Sequence, residues 1–243
     1  MSVLISPSPY RRILLKLSGE ALMGEQDYGI DFWILEKFVL ELKTVAQMGI
    51  QIAVVIGGGN IFRGLSGSKK GMDRVSADYM GMLATVINGL ALRSSLENAG
   101  LSTRLFSAVG MPPICETYNN KEALECLEAG KIVIFSGGTG DPFFTTDTAA
   151  ALRAAEMKCD VILKGTQVDG VYSSDPKKNH DALRYDTLTY EEVISKNLKV
   201  MDLASISLAQ DAKIPIVVFS MHSEGALKNV VLEKGLYTRI CDR

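Results

Sequence analysis

A glycine-rich turn between a buried strand and a helix constrains the fold of this chain more than any other feature. Residues 132–135 are an apolar run, and the segment Ser-Gly-Gly-Thr-Gly-Asp-Pro-Phe-Phe-Thr-Thr-Asp-Thr follows at 136–148. Small residues typical of a helix continue from 149 to 155. At such a junction the unpaired backbone N–H groups and the positive end of the helix dipole point the same way, which makes an anion site. The alternative is a plain strand-to-helix turn with capping threonines, and Thr146 is the predicted N-cap.

Composition narrows the class of protein. The chain has 243 residues, of which 47% are hydrophobic and 22% charged, as is typical of a soluble globular protein with a large core. A formal net charge of -2 provides no overall attraction to nucleic acid or to an acidic membrane, so neither partner is expected. The longest uncharged stretch, residues 79–92, is short for a bilayer span. We predict that it is a buried helix in the core or at a subunit contact.

Cysteine and histidine usage argues against a metal centre built from protein ligands. The four cysteines are widely spaced and form no Cys-x-x-Cys pair, so we expect reduced thiols in a cytoplasmic protein. They are Cys115, Cys126, Cys159 and Cys241. His180 and His222 are the only histidines, and neither lies near a second ligand in the sequence. A zinc site or a histidine-based catalytic triad is therefore not expected.

Apolar runs and helical patterns alternate along the whole chain. Strands are predicted at 12–17, 51–56, 102–108, 131–135, 160–164, 215–219 and 237–240. Helices are predicted at 31–48, 75–98, 119–129, 149–157, 187–196, 203–212 and 224–232, with turns at 168–172 and 175–176 and a mobile loop at 65–73. This order predicts an α/β fold, a three-layer αβα sandwich with a mainly parallel central sheet. Residues 1–9 are predicted to be a flexible arm before a single domain at 10–243.

Two lysines occupy the same position at the ends of two predicted strands. Lys16 and Lys164 each end an apolar run, where a lysine either reaches solvent from an edge strand or has an anionic partner. Ligands of open parallel sheets bind at the carboxyl ends of the strands, where the glycine loop at 57–59 and Arg63 also fall. Together these groups predict a site for several phosphates and for phosphoryl transfer. Asp147 is predicted to pair with both lysines, and an ionised phosphate acceptor would need no strong base.

Five motifs resemble the amino acid kinase family. They are residues 15–20 (Leu-Lys-Leu-Ser-Gly-Glu), 55–60 (Val-Ile-Gly-Gly-Gly-Asn) with 62–64 (Phe-Arg-Gly), Asp78 with 80–85 (Met-Gly-Met-Leu-Ala-Thr), 138–147, and 163–166 (Leu-Lys-Gly-Thr) with 168–172 and 175–176. The first and fifth motifs are widespread in that family. The second and fourth resemble more specifically its bacterial uridylate kinases, and the likeness covers almost the whole chain.

The resemblance implies transfer of the ATP γ-phosphoryl group to UMP in pyrimidine biosynthesis, with Mg²⁺ bound mainly through the ATP phosphates. It implies that Lys16, Lys164 and Asp147 are catalytic, the lysines stabilising the transferring group and the aspartate orienting them. The implied ATP contacts are Lys16, Leu17, Ser18, Gly19, Gly59 and Arg63 for the phosphates, with Thr166, Tyr172 and Asp175 around the adenine and ribose. The implied UMP contacts are Gly58, Asp78 (on the ribose), Thr139, Gly140, Asp141, Pro142, Phe143, Phe144, Thr145 and Thr146. Residues 10–158 would form the acceptor half and 159–243 the ATP half.

The resemblance also implies assembly and regulation. The family is usually hexameric, with GTP as activator and UTP as inhibitor in many members. The segment linked to the effector response is Gly24, Glu25, Gln26, Asp27, Tyr28 and Gly29. The long helix near residue 75 matches the subunit contact. Asp141 stands where other members often carry asparagine, which weakens the expectation of GTP activation.

Two rival functions stay open at this stage. A kinase of the same family that acts on a carboxylate, such as acetylglutamate or aspartate, would keep the two lysines and Asp147 but need other acceptor contacts. Asp78 and residues 143–146 favour a nucleotide acceptor instead. A non-catalytic relative that senses nucleotides or stores oxyanions would retain the fold, but the presence of both lysines and the aspartate argues against it.

Overall fold

A computed structural model describes residues 8–62, 71–176 and 178–242. Its strands are β1 Arg12–Leu17, β2 Gln51–Ile56, β3 Thr103–Ser107, β4 Glu116–Thr117, β5 Ile132–Ser136, β6 Val161–Thr166, β7 Val171–Tyr172, β8 Arg184–Tyr185, β9 Thr187–Leu188, β10 Ile216–Ser220 and β11 Tyr237–Ile240. Its α-helices are α1 Phe32–Ala46, α2 Arg74–Asn98, α3 Asn120–Glu128, α4 Thr146–Glu156, α5 Tyr190–Ser195, α6 Leu203–Asp211 and α7 Ala226–Val231, and a 3₁₀ helix spans Gly19–Leu22.

The central sheet has the order β4-β3-β5-β2-β1-β6-β10-β11-β9 in the described part of the chain. All neighbours are parallel except β10 and β11, which pair antiparallel. The short strands β7 and β8 form a separate antiparallel pair. The strands β1 and β6 lie next to each other near the middle, so the ends of both lysine-bearing strands meet at one edge of the sheet.

Successive side chains along each strand point to opposite faces of the sheet, and this divides the hydrophobic core into two layers. On β1, Ile13, Leu15 and Leu17 pack into one hydrophobic cluster with α1, α2 and α7. Leu14 belongs to the opposite cluster, which holds α3, α4, α5 and α6. Because successive side chains point to opposite faces, Lys16 lies on the same face as Leu14 and therefore on the face covered by α4. The predicted three-layer αβα architecture with a mainly parallel sheet is confirmed.

The predicted elements are present, and several boundaries differ. The helix predicted at 149–157 begins at Thr146, three residues earlier, and its N-cap is Thr145 rather than the predicted Thr146. Thr145 takes this role because its hydroxyl accepts from the Asp147 N–H at 3.0 Å. The helix predicted at 187–196 is shorter, since Thr187–Leu188 pairs with β11 and Thr189 caps α5 through a capping box. The predicted turn at 168–172 ends in β7.

The helix α2 is long and apolar enough, by length and composition alone, to cross a membrane. Its most apolar window has a mean hydropathy of 1.3 and is 44% buried inside the protein. Leu92 and Leu96 are fully buried against the sheet, so the helix packs as a core helix does. Residues 1–7 of the predicted arm, Arg63, and most of the predicted 65–73 loop lie outside the described residues.

Candidate active site

The register of the sheet places the two strand-end lysines side by side. Lys16 of β1 is the direct partner of Lys164 of β6 in the parallel ladder, so both ammonium groups project from the α4 face of the sheet. Asp147 of α4 lies between them. Its Oδ1 is 2.7 Å from the Lys16 Nζ, and its Oδ2 accepts from the Lys164 Nζ at 2.8 Å. One carboxylate thus compensates two neighbouring cations, as the sequence predicted.

The charges of this triad are set by burial and by each other. Burial by itself would raise the pKa of Asp147, but the ammonium groups of Lys16 and Lys164 outweigh it, and the pKa is lowered. Burial lowers the pKa of Lys164; Asp147 opposes this shift and Lys16 adds to it. The cluster therefore carries one fixed negative charge and a lysine whose proton is held less tightly than in water.

A loop that the sequence analysis did not single out completes this cluster. The backbone carbonyl of Val200 accepts a hydrogen bond from the Lys164 Nζ, which fixes the ammonium between two acceptors. Asp202, the N-cap of α6, accepts from the Thr148 hydroxyl at 2.9 Å and from the Thr145 hydroxyl. The loop before α6 and the first turn of α4 are therefore fastened together next to the lysines.

Three glycine-bearing segments approach one another closely beside the lysines. A Cβ on Gly19 would lie 2.7 Å from the Gly59 backbone nitrogen, and one on Gly57 would lie 2.9 Å from the Gly19 nitrogen. A Cβ on Gly58 would lie 2.8 Å from the backbone oxygen of Gly81 in α2. Only glycine fits these positions, so the loop after β1, the loop after β2 and α2 are in direct backbone contact.

An open cleft with a volume of about 140 Å³ lies between α2 and the loops after β2 and β5. It is lined by Gly58, Gly59, Phe62, Asp78, Gly81, Met82, Thr85, Gly138, Thr139, Phe144 and Thr146. Six of the implied nucleotide contacts, from three separate sequence motifs, are therefore gathered in one cleft.

Side chains of α2 hold the loop that forms the far wall of this cleft. The Thr85 hydroxyl accepts from the Gly137 N–H at 2.7 Å. Asp78 Oδ2 accepts from the Phe143 N–H at 2.8 Å and from the Arg74 Nε at 2.7 Å. Phe143 has a φ of 72°, a left-handed conformation that is strained for a bulky residue. The hydrogen bond from the Phe143 N–H to Asp78 holds the backbone in this conformation.

The rest of the 139–146 loop is more open. The Thr139 hydroxyl accepts from the Asp141 N–H at 3.2 Å, a local turn that includes Gly140 at a φ of 94°. Phe143 is 64% exposed and Phe144 is 52% exposed, although large aromatic side chains are usually buried. Two exposed rings beside a cleft are suited to contact a ligand with a flat apolar face.

The residues implied for the ATP base and ribose lie at the other side of the lysines. Thr166 ends β6 and lines a second cavity together with Gly24 and Glu25 of the implied effector segment. The Tyr172 hydroxyl donates to the Asp169 Oδ1 at 2.6 Å, which raises the pKa of Tyr172. The backbone carbonyl of Asp175 accepts from the N–H groups of Lys178 and Asn179, three and four residues later, at 3.0 and 2.9 Å.

Comparisons with known proteins identify the family and agree with the fold. The model of the amino acid kinase family matches residues 11–220. A uridylate kinase of Paramagnetospirillum magneticum is 54% identical over 98% of this chain and 99% of its own length, and one of Pseudoalteromonas atlantica is 56% identical over 96% and 94%. The crystal structure of UMP kinase from Bacillus anthracis superposes with a TM-score of 0.93 at 40% identity, covering 96% of each chain.

The chain belongs to the amino acid kinase family. UMP kinase from Ureaplasma parvum is a further structural relative, with a TM-score of 0.91 at 37% identity over 96% of this chain and 99% of its own. The resemblance stated from the motifs is thereby confirmed. Members of a kinase family work with ATP and a divalent metal ion, and the donors of this chain bear on how such an ion would be held.

Within residues 8–62, 71–176 and 178–242, no three acidic, histidine or cysteine side chains converge as a metal site. Asp147 is engaged by two ammonium groups, and Asp202 by two threonine hydroxyls. Mg²⁺ commonly keeps several waters and binds through substrate phosphates with one or two carboxylates. This donor set fits an ion that arrives with the ATP phosphates.

Some parts of this amino acid kinase site were not predictable from the sequence. Asp202 precedes a helical pattern and reads as an N-cap, but nothing in the sequence places it against Thr145 and Thr148. Asn88 lies within the uncharged stretch 79–92 of α2, where only its polarity among apolar neighbours distinguishes it. Arg63 lies outside the described residues.

Proposed function

We propose that this protein is a UMP kinase, which transfers the γ-phosphoryl group of ATP to UMP and gives UDP and ADP in pyrimidine nucleotide biosynthesis. One observation carries the proposal. The cluster of Lys16, Asp147 and Lys164 lies at the end of the sheet beside a cleft lined by residues of three nucleotide-type motifs. The 54% and 56% identity to uridylate kinases over nearly the whole chain supports UMP as the acceptor.

The residues at the sheet edge are suited to stabilise a phosphoryl group during its transfer. Such a group carries charge on its equatorial oxygens, and catalysis consists mainly of positioning and electrostatic stabilisation. Lys16 and Lys164 provide two point charges on the same face, and Asp147 holds both in place. The N-terminus of α4 and the glycine loops add backbone N–H donors. The phosphate of UMP is already ionised at neutral pH, so no general base is needed.

Mg²⁺ would be bound mainly by oxygens of the ATP phosphates. When bound, the ion supplies positive charge that neutralises these oxygens. The contribution of this chain is to place the phosphates, and we assign that role to Lys16, Leu17, Ser18, Gly19, Gly59 and Arg63. Thr166, Tyr172 and Asp175 would hold the adenine and ribose. In this scheme residues 10–158 form the acceptor half and 159–243 the ATP half.

The acceptor would occupy the cleft beside α2. Asp78 would accept from the ribose hydroxyls, since its carboxylate lines the cleft and is mostly buried. Gly58 and the loop from Thr139 to Thr146 would wrap the base and the phosphate. Support comes from the position of Asp78, Gly58, Thr139, Phe144 and Thr146 on the walls of a single cleft.

We further propose a homohexamer in the cytoplasm that responds to GTP and UTP. An apolar stripe on the outer face of α2 supports a subunit contact, because Tyr79, Leu83 and Ile87 recur every four residues and are 44%, 50% and 47% exposed. The loop at 24–29 would take part in the effector response. It shares a cavity with Thr166, which gives it a direct neighbour in the ATP half.

A coupled assay of ADP release tests the acceptor. Wild-type protein with ATP and Mg²⁺ is compared on UMP, CMP, dTMP, acetylglutamate and aspartate, with Lys16→Ala as the inactive control. We expect strong turnover with UMP only. Turnover with a carboxylate alone would overturn the acceptor site, and ATP binding without any turnover would favour a sensing or storage protein.

A further inference from the structure

Two buried asparagines form a closed amide pair beneath the glycine loops. Asn60 follows the loop after β2 and is 2% exposed, and Asn88 lies in the middle of α2 and is 0% exposed. The Asn60 Nδ2 donates to the Asn88 Oδ1 at 3.0 Å, and the Asn88 Nδ2 donates to the Asn60 Oδ1 at 2.6 Å. The amides therefore bind each other reciprocally, across 28 residues of chain.

Each amide also holds a backbone carbonyl of a loop. The Asn88 Nδ2 donates to the Gly57 carbonyl at 2.7 Å, and the Asn60 Nδ2 donates to the Gly29 carbonyl at 2.8 Å. Carbonyls accept only, so the NH₂ group of each amide must face its loop, and the orientation of both side chains is fixed by this requirement. Both N–H donors of both amides are thereby used.

The pair also lies against the loop after β1, which contains Gly19. A Cβ on Gly19 would lie 2.4 Å from the Asn60 Oδ1, so the backbone at Gly19 rests directly on this amide. Gly19 follows Lys16 by three residues, and Gly57 begins the loop that lines the acceptor cleft. The amide pair thus contacts the loop on the donor side, the loop on the acceptor side, and the end of the 24–29 segment.

We propose that Asn60 and Asn88 are positioning residues, which set the spacing between the loop at Gly19 and the loop at Gly57 and so align the two phosphates for transfer. The inference rests on the proposed kinase function. Transfer needs the attacking and leaving oxygens roughly in line, and a misplacement of about 1 Å can reduce the rate about 100-fold. An apolar pair of similar size would fill the same space but could not hold the two carbonyls.

Two isosteric variants test the proposal. In N88D an oxygen replaces the NH₂ that faces the Gly57 carbonyl, and in N60D an oxygen replaces the NH₂ that faces the Gly29 carbonyl. N88L is a third variant of similar shape that brings no buried charge, in case the aspartates do not fold. Leu96→Ala is the matched control, since Leu96 is fully buried on the same helix and packs in the hydrophobic cluster.

We measure kcat and KM for both nucleotides well below the unfolding temperature of every variant, together with amide hydrogen exchange. We expect kcat of N88D and N88L to fall about 10- to 100-fold, with KM for UMP and ATP within about threefold, and exchange at Gly57 and Gly29 to quicken. The control should lose thermal stability and keep kcat.

Several results would overturn the proposal. If the asparagine variants fold and keep kcat within about twofold of wild type, the pair is purely structural. The same conclusion follows if Leu96→Ala, at an equal loss of stability, loses as much kcat as the asparagine variants. The exchange measurement needs no substrate. Unchanged exchange at Gly57 in N88D would therefore exclude the positioning role, whatever the activity of the wild-type protein. A wild-type protein that is inactive on UMP would refute the proposed function alone.

Discussion

The proposed acceptor side and the proposed ATP side of the site are held by different kinds of contact. On the acceptor side, Asp78, Thr85 and Asn88 of α2 reach loops that are 65, 52 and 31 residues away in the sequence. On the ATP side, the hydroxyls of Thr166 and Tyr172 bond to residues only two and three positions away. The acceptor loops are thus held by a core helix, whereas these two hydroxyl bonds on the ATP side connect only neighbouring residues of the same segment.

The difference indicates where the site is preorganised. A loop tied to a buried helix loosens only when the packing of that helix loosens, whereas the loss of a bond between near neighbours disturbs few other contacts. The strands β7 and β8 are held to the main sheet by Thr238 of β11, which accepts from the Val171 N–H at 2.8 Å, and not by the Tyr172 side chain. We therefore expect substitutions on α2 to change acceptor kinetics more than equivalent substitutions near Tyr172 change ATP kinetics.

Asp147 stands between the two sides, and its replacement should have the largest effect. In D147N the amide cannot neutralise Lys16 and Lys164, which remain neighbours in the ladder. We expect kcat to fall about 100- to 1,000-fold, the range seen when one preorganised electrostatic group is lost. Breaking a buried ion pair commonly costs about 3–5 kcal/mol of stability, so unfolding in urea should be measured alongside.

The control for this prediction is Asp141→Asn, a carboxylate change in the open loop at the other end of the same motif. It should leave stability unchanged, because Asp141 is exposed. If D147N retained more than about a tenth of the wild-type kcat, the aspartate would not be needed to orient the lysines. Asp147 would then not connect the two sides of the site.

Asp78 tests the acceptor side. We expect D78A to raise KM for UMP about 10- to 100-fold while KM for ATP stays within about threefold, because a lost charge-assisted hydrogen bond is worth about 1.5–3 kcal/mol. Loss of the Asp78 contact also frees the Phe143 N–H, which it holds at 2.8 Å.

Arg74→Gln is the matched control for Asp78. It removes the ion pair of 2.7 Å and the guanidinium that lies 5.3 Å from the centre of the Phe143 ring, but leaves the carboxylate and its bond with the Phe143 N–H. KM for UMP should change by less than about threefold, since partly exposed ion pairs contribute little. An equal rise of KM in both variants would mean that the contacts of Arg74, rather than contact of the Asp78 carboxylate with UMP, explain the effect.

The lysine next to Asp147 predicts an alkaline limit of activity. The pKa of Lys164 lies below the ordinary 10.5, mainly because the ammonium is buried. The positive charge is present below the folded-state pKa and is lost as pH rises through it, so kcat should decline before pH 10.5. Lys164→Arg, whose guanidinium stays charged, should move this decline to higher pH even if its kcat is lower. A decline at the same pH in both proteins would assign it to another group.

The repeated strand-end lysines show why much of the catalytic cluster was predictable. Lys16 and Lys164 each end an apolar run, and parallel strands bring their ends to one edge of a sheet. Asp147 follows a glycine-rich turn in the first turn of a helix, where a carboxylate is expected. Local pattern and one rule of sheet topology were therefore enough to place the lysines and the aspartate together.

Side-chain contacts between distant segments were not predictable in this way. The bond from Asp202 to Thr145 and the amide pair of Asn60 and Asn88 depend on how helices pack, and no periodicity records them. The N-cap at Thr145 rather than Thr146 is a smaller example, since either threonine satisfies the local pattern, and Thr145 also donates its hydroxyl to the distant Asp202.

Tyr172 tests the ATP side and should give the smallest effect. In Y172F the hydroxyl that donates to Asp169 at 2.6 Å is lost, but the aromatic ring remains in β7. Because that bond joins residues three positions apart, we expect KM for ATP to rise no more than about threefold and kcat to stay unchanged. Tyr185→Phe on the paired strand β8 is the control and should change neither value. A rise of KM for ATP above about tenfold in Y172F alone would show that this local bond organises the ATP side as firmly as α2 organises the acceptor side, and the contrast between the two sides would fail.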